Sequence, residues 1–171
     1  MQQIKLINFG NVSEDDVVNY KTRETVRAVV FDNNNLVSLL HATKYNYYKL
    51  PGGGIETGED HITALRRECL EEIGSNIEIM GEIGIIMEYR SQHSLKQISY
   101  CYIAKLVGEK GEPRLTDSEI EEGFIPAWVT FVEAKQRLVE SNRGNYDGNY
   151  MVTRELAIIN EASKILSSLV F

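Results

Sequence analysis

Cysteine, proline and tryptophan are scarce in this 171-residue chain, at two, three and one copies, and each scarcity removes a class of protein. Cys69 and Cys101 can build no disulfide framework, and neither stands in a C-x-x-C or Cys/His cluster of zinc spacing, so both are expected as reduced core residues of a cytoplasmic protein. Three prolines, with no internal repeat or low-complexity tract, leave no linker, and a single domain spanning residues 1–171 is expected. The longest apolar run is Tyr100 to Ala104, far short of the roughly 18 residues of a membrane-spanning helix. The opening MQQIKLINFG lacks a signal-peptide apolar core, so no membrane partner is expected. Positive charge is also in deficit, 18 basic against 25 acidic residues for a net charge of −7, which opposes loose binding to a nucleic acid polymer. An anionic substrate would then need a cation from elsewhere, and a bound divalent metal is the usual supplier.

What is present is an ordinary globular composition, 43% hydrophobic and 25% charged. Strand-like segments run Ile4–Phe9, Glu24–Phe31 and Leu36–His41, the last two joined by the polar turn Asp32-Asn33-Asn34-Asn35. Residues 60–73 place Ile62, Leu65, Cys69 and Ile73 at helical spacing, and Gly74 supplies a left-handed stop. Two long strands are expected at Ile77–Arg90 and Ser94–Val107, a short one at Ala127–Phe131, and helices at Val132–Glu140 and Met151–Leu166. Hairpins rather than crossovers join most strands, so the expected fold is α/β (α+β), an α/β/α sandwich with a central mixed sheet.

Residues 51–75 read PGGGIETGEDHITALRRECLEEIGS and concentrate acid. Glu68 and Glu72 stand one helical turn apart, with carboxylates roughly 6 Å from each other, and Glu71 occupies the neighbouring position. Both flank the apolar stripe, Glu72 more closely, and burial would strengthen the repulsion that a hard cation relieves. Oxygen donors without His or Cys favour Mg²⁺, with Mn²⁺ as substitute. Gly52, Gly53 and Gly54 let the preceding loop bring a carbonyl to a metal or an N–H to a phosphate.

Through Gly53, Glu59, Arg67, Glu68, Cys69, Glu71, Glu72 and Gly74, residues 53–75 resemble the signature of the Nudix hydrolases, G-x5-E-x7-R-E-U-x-E-E-x-G-U with U apolar. At residue frequencies of roughly 6%, seven fixed matches arise by chance on the order of once in 10⁸ to 10⁹ starts. The final U is Ser75 here, a departure at a packing position. The resemblance implies a MutT-like enzyme that splits the pyrophosphate of a small nucleotide, a nucleoside diphosphate linked to another group. Carried over by residue, it makes Glu68 and Glu72 metal ligands, with Glu71 a further or water-mediated one and the Gly52 carbonyl an added donor. Arg67 would orient the glutamates, and Glu59 would pair with Arg67 or reach metal through water. The general base is left open between Glu68, Glu71 and a later loop bearing Glu119, Glu121 and Glu122.

Substrate contacts are expected from Gly53, Gly54, Lys49, Tyr89 and Arg90, with Tyr45, Tyr47, Tyr48, Tyr100 and Trp128 as further aromatic candidates. No proline lies between Gly74 and Pro113, where ADP-ribose hydrolases of the family carry one, and Tyr89 lies near a tyrosine of the diadenosine-polyphosphate hydrolases. A nucleoside triphosphate, a dinucleoside polyphosphate and a nucleotide sugar all stay open as substrates, as does a homodimer. The rival class is a nucleotide-sensing module that keeps the fold without catalysis. Ser141–Asn149, polar and glycine-bearing, reads as a lid or a surface connection.

Overall fold

The computed structural model describes residues 1–168. Their order is β1 (Gln3–Ile7), α1 (Glu14–Val17), β2 (Lys21–Phe31), β3 (Val37–Ala42), β4 (Tyr47–Lys49), α2 (His61–Ile73), β5 (Asn76–Arg90), β6 (Leu95–Val107), α3 (Asp117–Glu121), β7 (Phe124–Val129), α4 (Phe131–Glu140) and α5 (Tyr146–Ser168). The strands form one mixed sheet in the order β1-β5-β6-β2-β3-β4, with β7 also paired to β3. β1 runs parallel to β5 and β2 parallel to β6, while β5–β6, β2–β3, β3–β4 and β3–β7 are antiparallel.

The site originates in a divergence of this sheet. β2 and β3 share only the Phe31–Val37 pair, and beyond it they part. Loop 51–54 fills the gap, with Val26 N–H donating to Gly53 O at 2.9 Å and Ala28 N–H to Pro51 O at 3.0 Å. Gly52 sits at φ +130°, and a Cβ there would lie 2.1 Å from the Val26 carbonyl, so only glycine allows this approach.

Period-two alternation sends opposite sets of side chains to the two faces. Val26, Ala28 and Val30 of β2 pack against Ala64, Leu65, Cys69 and Ile73 of α2. Val29, with Ile86, Cys101 and Ile103, packs against Leu138 of α4 and Tyr150, Ile158 and Ile159 of α5. Helices therefore cover both faces, giving the α/β/α sandwich with a mixed sheet. The Asp60 side chain caps α2 by accepting from Thr63 N–H at 2.7 Å, and Gly74 closes it at φ +61°. Cys69 and Cys101 are both free and buried, and burial pushes both thiols up. Ser75 is fully buried and satisfies its hydroxyl on the Ile73 carbonyl at 3.0 Å, which is how a polar residue fits that packing position.

Three short elements, α1, β4 and α3, escape sequence patterning because none spans a hydrophobic period. Boundaries also move: β1 ends at Ile7 rather than Phe9, β2 begins at Lys21 rather than Glu24, and β7 and α5 shift as well. β7 begins at Phe124 and passes through Pro126, which an edge strand paired only to β3 tolerates. α5 begins at Tyr146, inside the polar tract expected to be a loop or lid, because the Asn145 side chain accepts from Gly148 N–H at 2.7 Å and caps the helix.

Asp32 fixes the turn between β2 and β3. Its Oδ1 accepts from Asn34 N–H and Leu36 N–H, each at 2.8 Å, and its Oδ2 from Lys110 at 2.6 Å. Burial alone would push this carboxyl up, but Lys110 and the two N–H groups outweigh burial and hold it below its ordinary 3.8. A lowered pKa adds stability above the unfolded value and loses it as pH falls through the folded value. Asp32→Asn should therefore destabilise the fold by about 1–3 kcal/mol at pH 7. Urea titrations of both proteins should show that difference shrinking as pH drops below about 4.

Candidate active site

The carboxylate helix and the glycine loop are tied by Arg67. Its Nε and Nη2 donate to the two oxygens of Glu59 at 2.8 and 2.9 Å, and Nη2 also donates to Gly54 O at 2.9 Å. Nη1 reaches Glu68 at 2.8 Å and Glu71 at 3.3 Å. These bonds hold the guanidinium well above its usual range, the Glu59 pair being the main cause, and Arg67 in turn holds Glu59 down at about 2. Glu56 N–H adds a bond to Glu59 at 3.0 Å.

Glu72 is the deepest of the acids, 1% exposed. Its oxygens accept from Lys49 Nζ and Gly52 N–H, both at 2.7 Å. Burial pushes its carboxyl up to about 7 despite Lys49, Arg27 and the Gly52 N–H, so the ionised form is short of positive charge. Glu68 is also buried, beneath Gly53: a Cβ there would lie 2.4 Å from the Glu68 carboxyl atoms. Pro51, Gly53 and Gly54 carbonyls all accept hydrogen bonds, while that of Gly52 accepts none among the described residues.

No three of these acids converge into a metal cage among the described residues. Glu68 and Glu71 turn to Arg67, and Glu72 to Lys49. The donor set nevertheless suits a hard cation: oxygen only, one carboxylate under-compensated, and one carbonyl unengaged. Mg²⁺ needs just one or two carboxylates beside water and phosphate oxygens.

Beside Lys49 opens a cleft of about 560 Å³, within the range of small-ligand sites. Arg23 and Arg27 of β2, Gln97 of β6 and Arg90 of β5 line its floor, and Asp147, Met151 and Arg154 of α5 line one wall. Tyr45, Tyr47, Phe124, Glu119 and Glu122 complete it. Glu88, fully buried, accepts from Arg90 at 3.0 Å, from Arg154 at 3.2 Å and from Gln97. Glu155, equally buried, accepts from Arg154 at 2.6 Å and from Leu50 N–H at 3.1 Å.

The later acids separate. Glu119 lines the cleft but also caps α3, accepting from Thr116 N–H at 2.8 Å. Glu122 lines it and accepts from the Tyr47 hydroxyl at 3.0 Å. Glu121 points elsewhere, paired with Lys44 at 2.9 Å, and does not line the cleft. Tyr89 is likewise displaced from its expected place in substrate binding: it is buried, its hydroxyl donates to Glu14 at 3.0 Å, and it takes no part in the cleft. Its odd-numbered position on β5 sends it to the face opposite Glu88 and Arg90. Among the other aromatic candidates, Tyr48, Tyr100 and Trp128 also lie outside the cleft lining.

Sequence reading missed Arg23, Arg27, Gln97, Arg154 and Glu155. The signal was there in part. Polar residues recur at one strand parity, Arg23-Thr25-Arg27 on β2, Gln97-Ser99 on β6 and Glu88-Arg90 on β5, and only the sheet order shows that they share a face.

A family model described as the NUDIX domain matches residues 21–147. The chain is 29% identical over 143 residues to an RNA pyrophosphohydrolase of Caulobacter vibrioides, covering 73% of this chain and 81% of that one. It is 32% identical over 84 residues to an RNA pyrophosphohydrolase of Pelagibacter ubique, a match over 47% of this chain and about half, 53%, of the relative. A solved NUDIX hydrolase from Nitrosomonas europaea shares the fold with a TM-score of 0.64 at 19% identity, over 84% of this chain and 90% of that one. The matched span runs from the start of β2 to the first turn of α5, taking in the glycine loop, the glutamate helix and the sheet floor, and it places this chain in the NUDIX hydrolase family.

Proposed function

We propose that this chain is a Mg²⁺-dependent pyrophosphohydrolase that cleaves the phosphoanhydride of a small nucleotide by attack of water on phosphorus. The observation that carries the reading is Glu72: a carboxylate 1% exposed on the glutamate helix, bonded both to the glycine loop through Gly52 N–H and to Lys49 of a basic cleft. Glu68, Glu72, Glu71 and the Gly52 carbonyl would hold the metal, with Mn²⁺ as a substitute. Bound there, the metal would supply charge neutralisation at the phosphate oxygens and a lowered pKa for water.

The chain's own residues account for the remaining work. Arg67 holds Glu68 and Glu71 in register with the loop through its bonds to Glu59 and Gly54. Gly53 leaves room for the Glu68 carboxylate. Lys49, Arg23 and Arg90 face the substrate's anionic oxygens from the cleft, whereas Gly53 and Gly54, expected as substrate contacts, do not line it. The attacking water must give its proton to a carboxylate oxygen. Glu68 and Glu71 are available on α2, and Glu119 and Glu122 from the cleft wall, while Glu121, held by Lys44, is the least suited.

A second substrate reading, the 5′ end of an RNA, is favoured by the names of the two curated relatives. The net charge of −7 opposes extended contact with a polymer, so this reading confines recognition to the terminal phosphates and the first nucleotide.

Glu72→Gln and Glu68→Gln should each lower Mg²⁺-dependent turnover by at least roughly a hundredfold, and Arg67→Gln by roughly 10–100-fold, as loss of a ligand-orienting partner does. Product chromatography over nucleoside triphosphates, diadenosine polyphosphates, nucleotide sugars, ADP-ribose and a 5′-triphosphorylated oligonucleotide reads both effects. Wild-type rate in Glu72→Gln or Glu68→Gln would refute the ligand assignment.

Excess EDTA should abolish turnover, and Mg²⁺ or Mn²⁺ should restore it. Calorimetry should show Mn²⁺ binding to the metal-free protein and its loss in Glu72→Gln. Metal binding without turnover of any substrate would identify a sensor instead of an enzyme.

A further inference from the structure

The cleft's positive charges are unevenly satisfied. Lys49 is paired with Glu72, and Arg154 with Glu88 and Glu155. Arg90 uses its two Nη atoms on Glu88 and Asp147, leaving Nε buried with no partner. Arg27, whose side chain is 7% exposed, donates Nη1 to the adjacent Val26 carbonyl at 2.9 Å. Its Nε is also buried without a hydrogen bond, since Glu155 Oε1 stands 3.8 Å away. Arg23, exposed and lining the cleft, makes no hydrogen bond or ion pair among the described residues.

An orphaned guanidinium donor is costly in a protein interior, and such groups persist where a ligand completes them. The acids of the cleft show the opposite condition. Asp147 accepts from Arg90 and His93, Glu122 from Tyr47, and Glu119 from Thr116. The acids of the cleft thus already have donors, while among its cations Arg23 has no acceptor and Arg27 and Arg90 each keep a buried Nε without one. Burial and the neighbouring Arg154 lower the pKa of both Arg23 and Arg27, as expected where like charges are gathered without enough anion.

Alternation explains the placement. Arg23 and Arg27 are four residues apart on one face of β2, flanking Thr25, which bridges to Gly54 of the loop. Arg90 projects from the same face two strands away, across β6.

Resting on the hydrolase reading above, we propose that the cleft selects substrates bearing a further phosphate beyond the two joined by the cleaved anhydride, and that Arg23, Arg27 and Arg90 bind it. Nucleoside triphosphates and dinucleoside tetraphosphates share this chemistry; ADP-ribose and nucleotide sugars lack it.

Calorimetry in EDTA, with inorganic tripolyphosphate and orthophosphate as probes, tests the anion site apart from catalysis. Wild-type protein should bind tripolyphosphate more tightly, and Arg23→Ala, at an exposed position that the fold does not need, should weaken that binding about tenfold. Arg27→Gln should weaken it further, with its thermal unfolding midpoint showing that the variant is folded. In turnover, the ratio of kcat/KM for a nucleoside triphosphate over ADP-ribose should exceed one and fall about tenfold in Arg23→Ala. Parallel runs with diadenosine tetraphosphate show which phosphate-extended source is preferred. Equal binding of the two probes, or preferred turnover of ADP-ribose, overturns the proposal. Silence on every substrate with tripolyphosphate binding intact removes the hydrolase reading and leaves the anion site standing.

Discussion

One planar cation organises the chemistry of this protein. Arg67 spreads its guanidinium over Glu59, Glu68, Glu71 and the Gly54 carbonyl, so that a loop, the residues before a helix and the helix itself are held by one side chain. Three glutamates within five residues of a helix repel one another, and a solvated face would relax by splaying them outward. The fork geometry prevents this for Glu68 and Glu71, because each bond fixes a direction as well as a distance, while Lys49 and Gly52 N–H hold Glu72. A lysine at the same position would bring the charge without the fork.

The second organising feature is the division of one sheet face. Beneath α4 and the C-terminal half of α5 the face is apolar, with Val29, Ile86, Cys101 and Ile103 in the core. Nearer the opposite strand ends, Arg23, Thr25, Arg27, Glu88, Arg90, Gln97 and Ser99 occupy the same side-chain parity. Buried ion pairs of this kind seldom stabilise a fold relative to apolar packing, since desolvation offsets attraction. Glu88 and Glu155, both without exposed surface, therefore read as parts that place Arg90 and Arg154 at the cleft. α5 thus does two jobs along its length: Ile158, Ile159 and Ala162 close the core, and Asp147, Met151 and Arg154 wall the site.

Much of this was legible from residue order, and the pattern of what was not is physical. The α2 helix, its Gly74 stop and the two long strands follow from periodicity within one segment, and they lie within a residue or so of where that periodicity puts them. The glutamates and Arg67 were legible because their spacing is local, on one helix and the loop before it. The basic floor was largely hidden because its members are distant in sequence, and a single arginine in a strand has no period. Arg90 could be named as a candidate, yet nothing in the sequence says that it meets Arg154 across Glu88. Tyr89 illustrates the opposite error: one residue of register on β5 separates it from Arg90 and sends it to the other face.

The two halves of the site carry complementary deficits. On the helix side, Glu72 remains at about 7 although Lys49 and Gly52 N–H both donate to it, so the fold supplies less positive charge than this carboxylate can use. On the floor, Arg27 and Arg90 each retain a buried Nε without an acceptor, so the fold leaves one donor of each guanidinium unused. Moving a side chain cannot cure both, because Lys49 already bridges them, lining the cleft while bonded to Glu72. A divalent cation carried by a polyphosphate brings both signs at once, its positive end suited to the helix and its oxygens to the floor. That arrangement, with Arg67 holding one side and Glu88 the other, is what the proposed metal–polyphosphate ligand would complete and a neutral ligand would not.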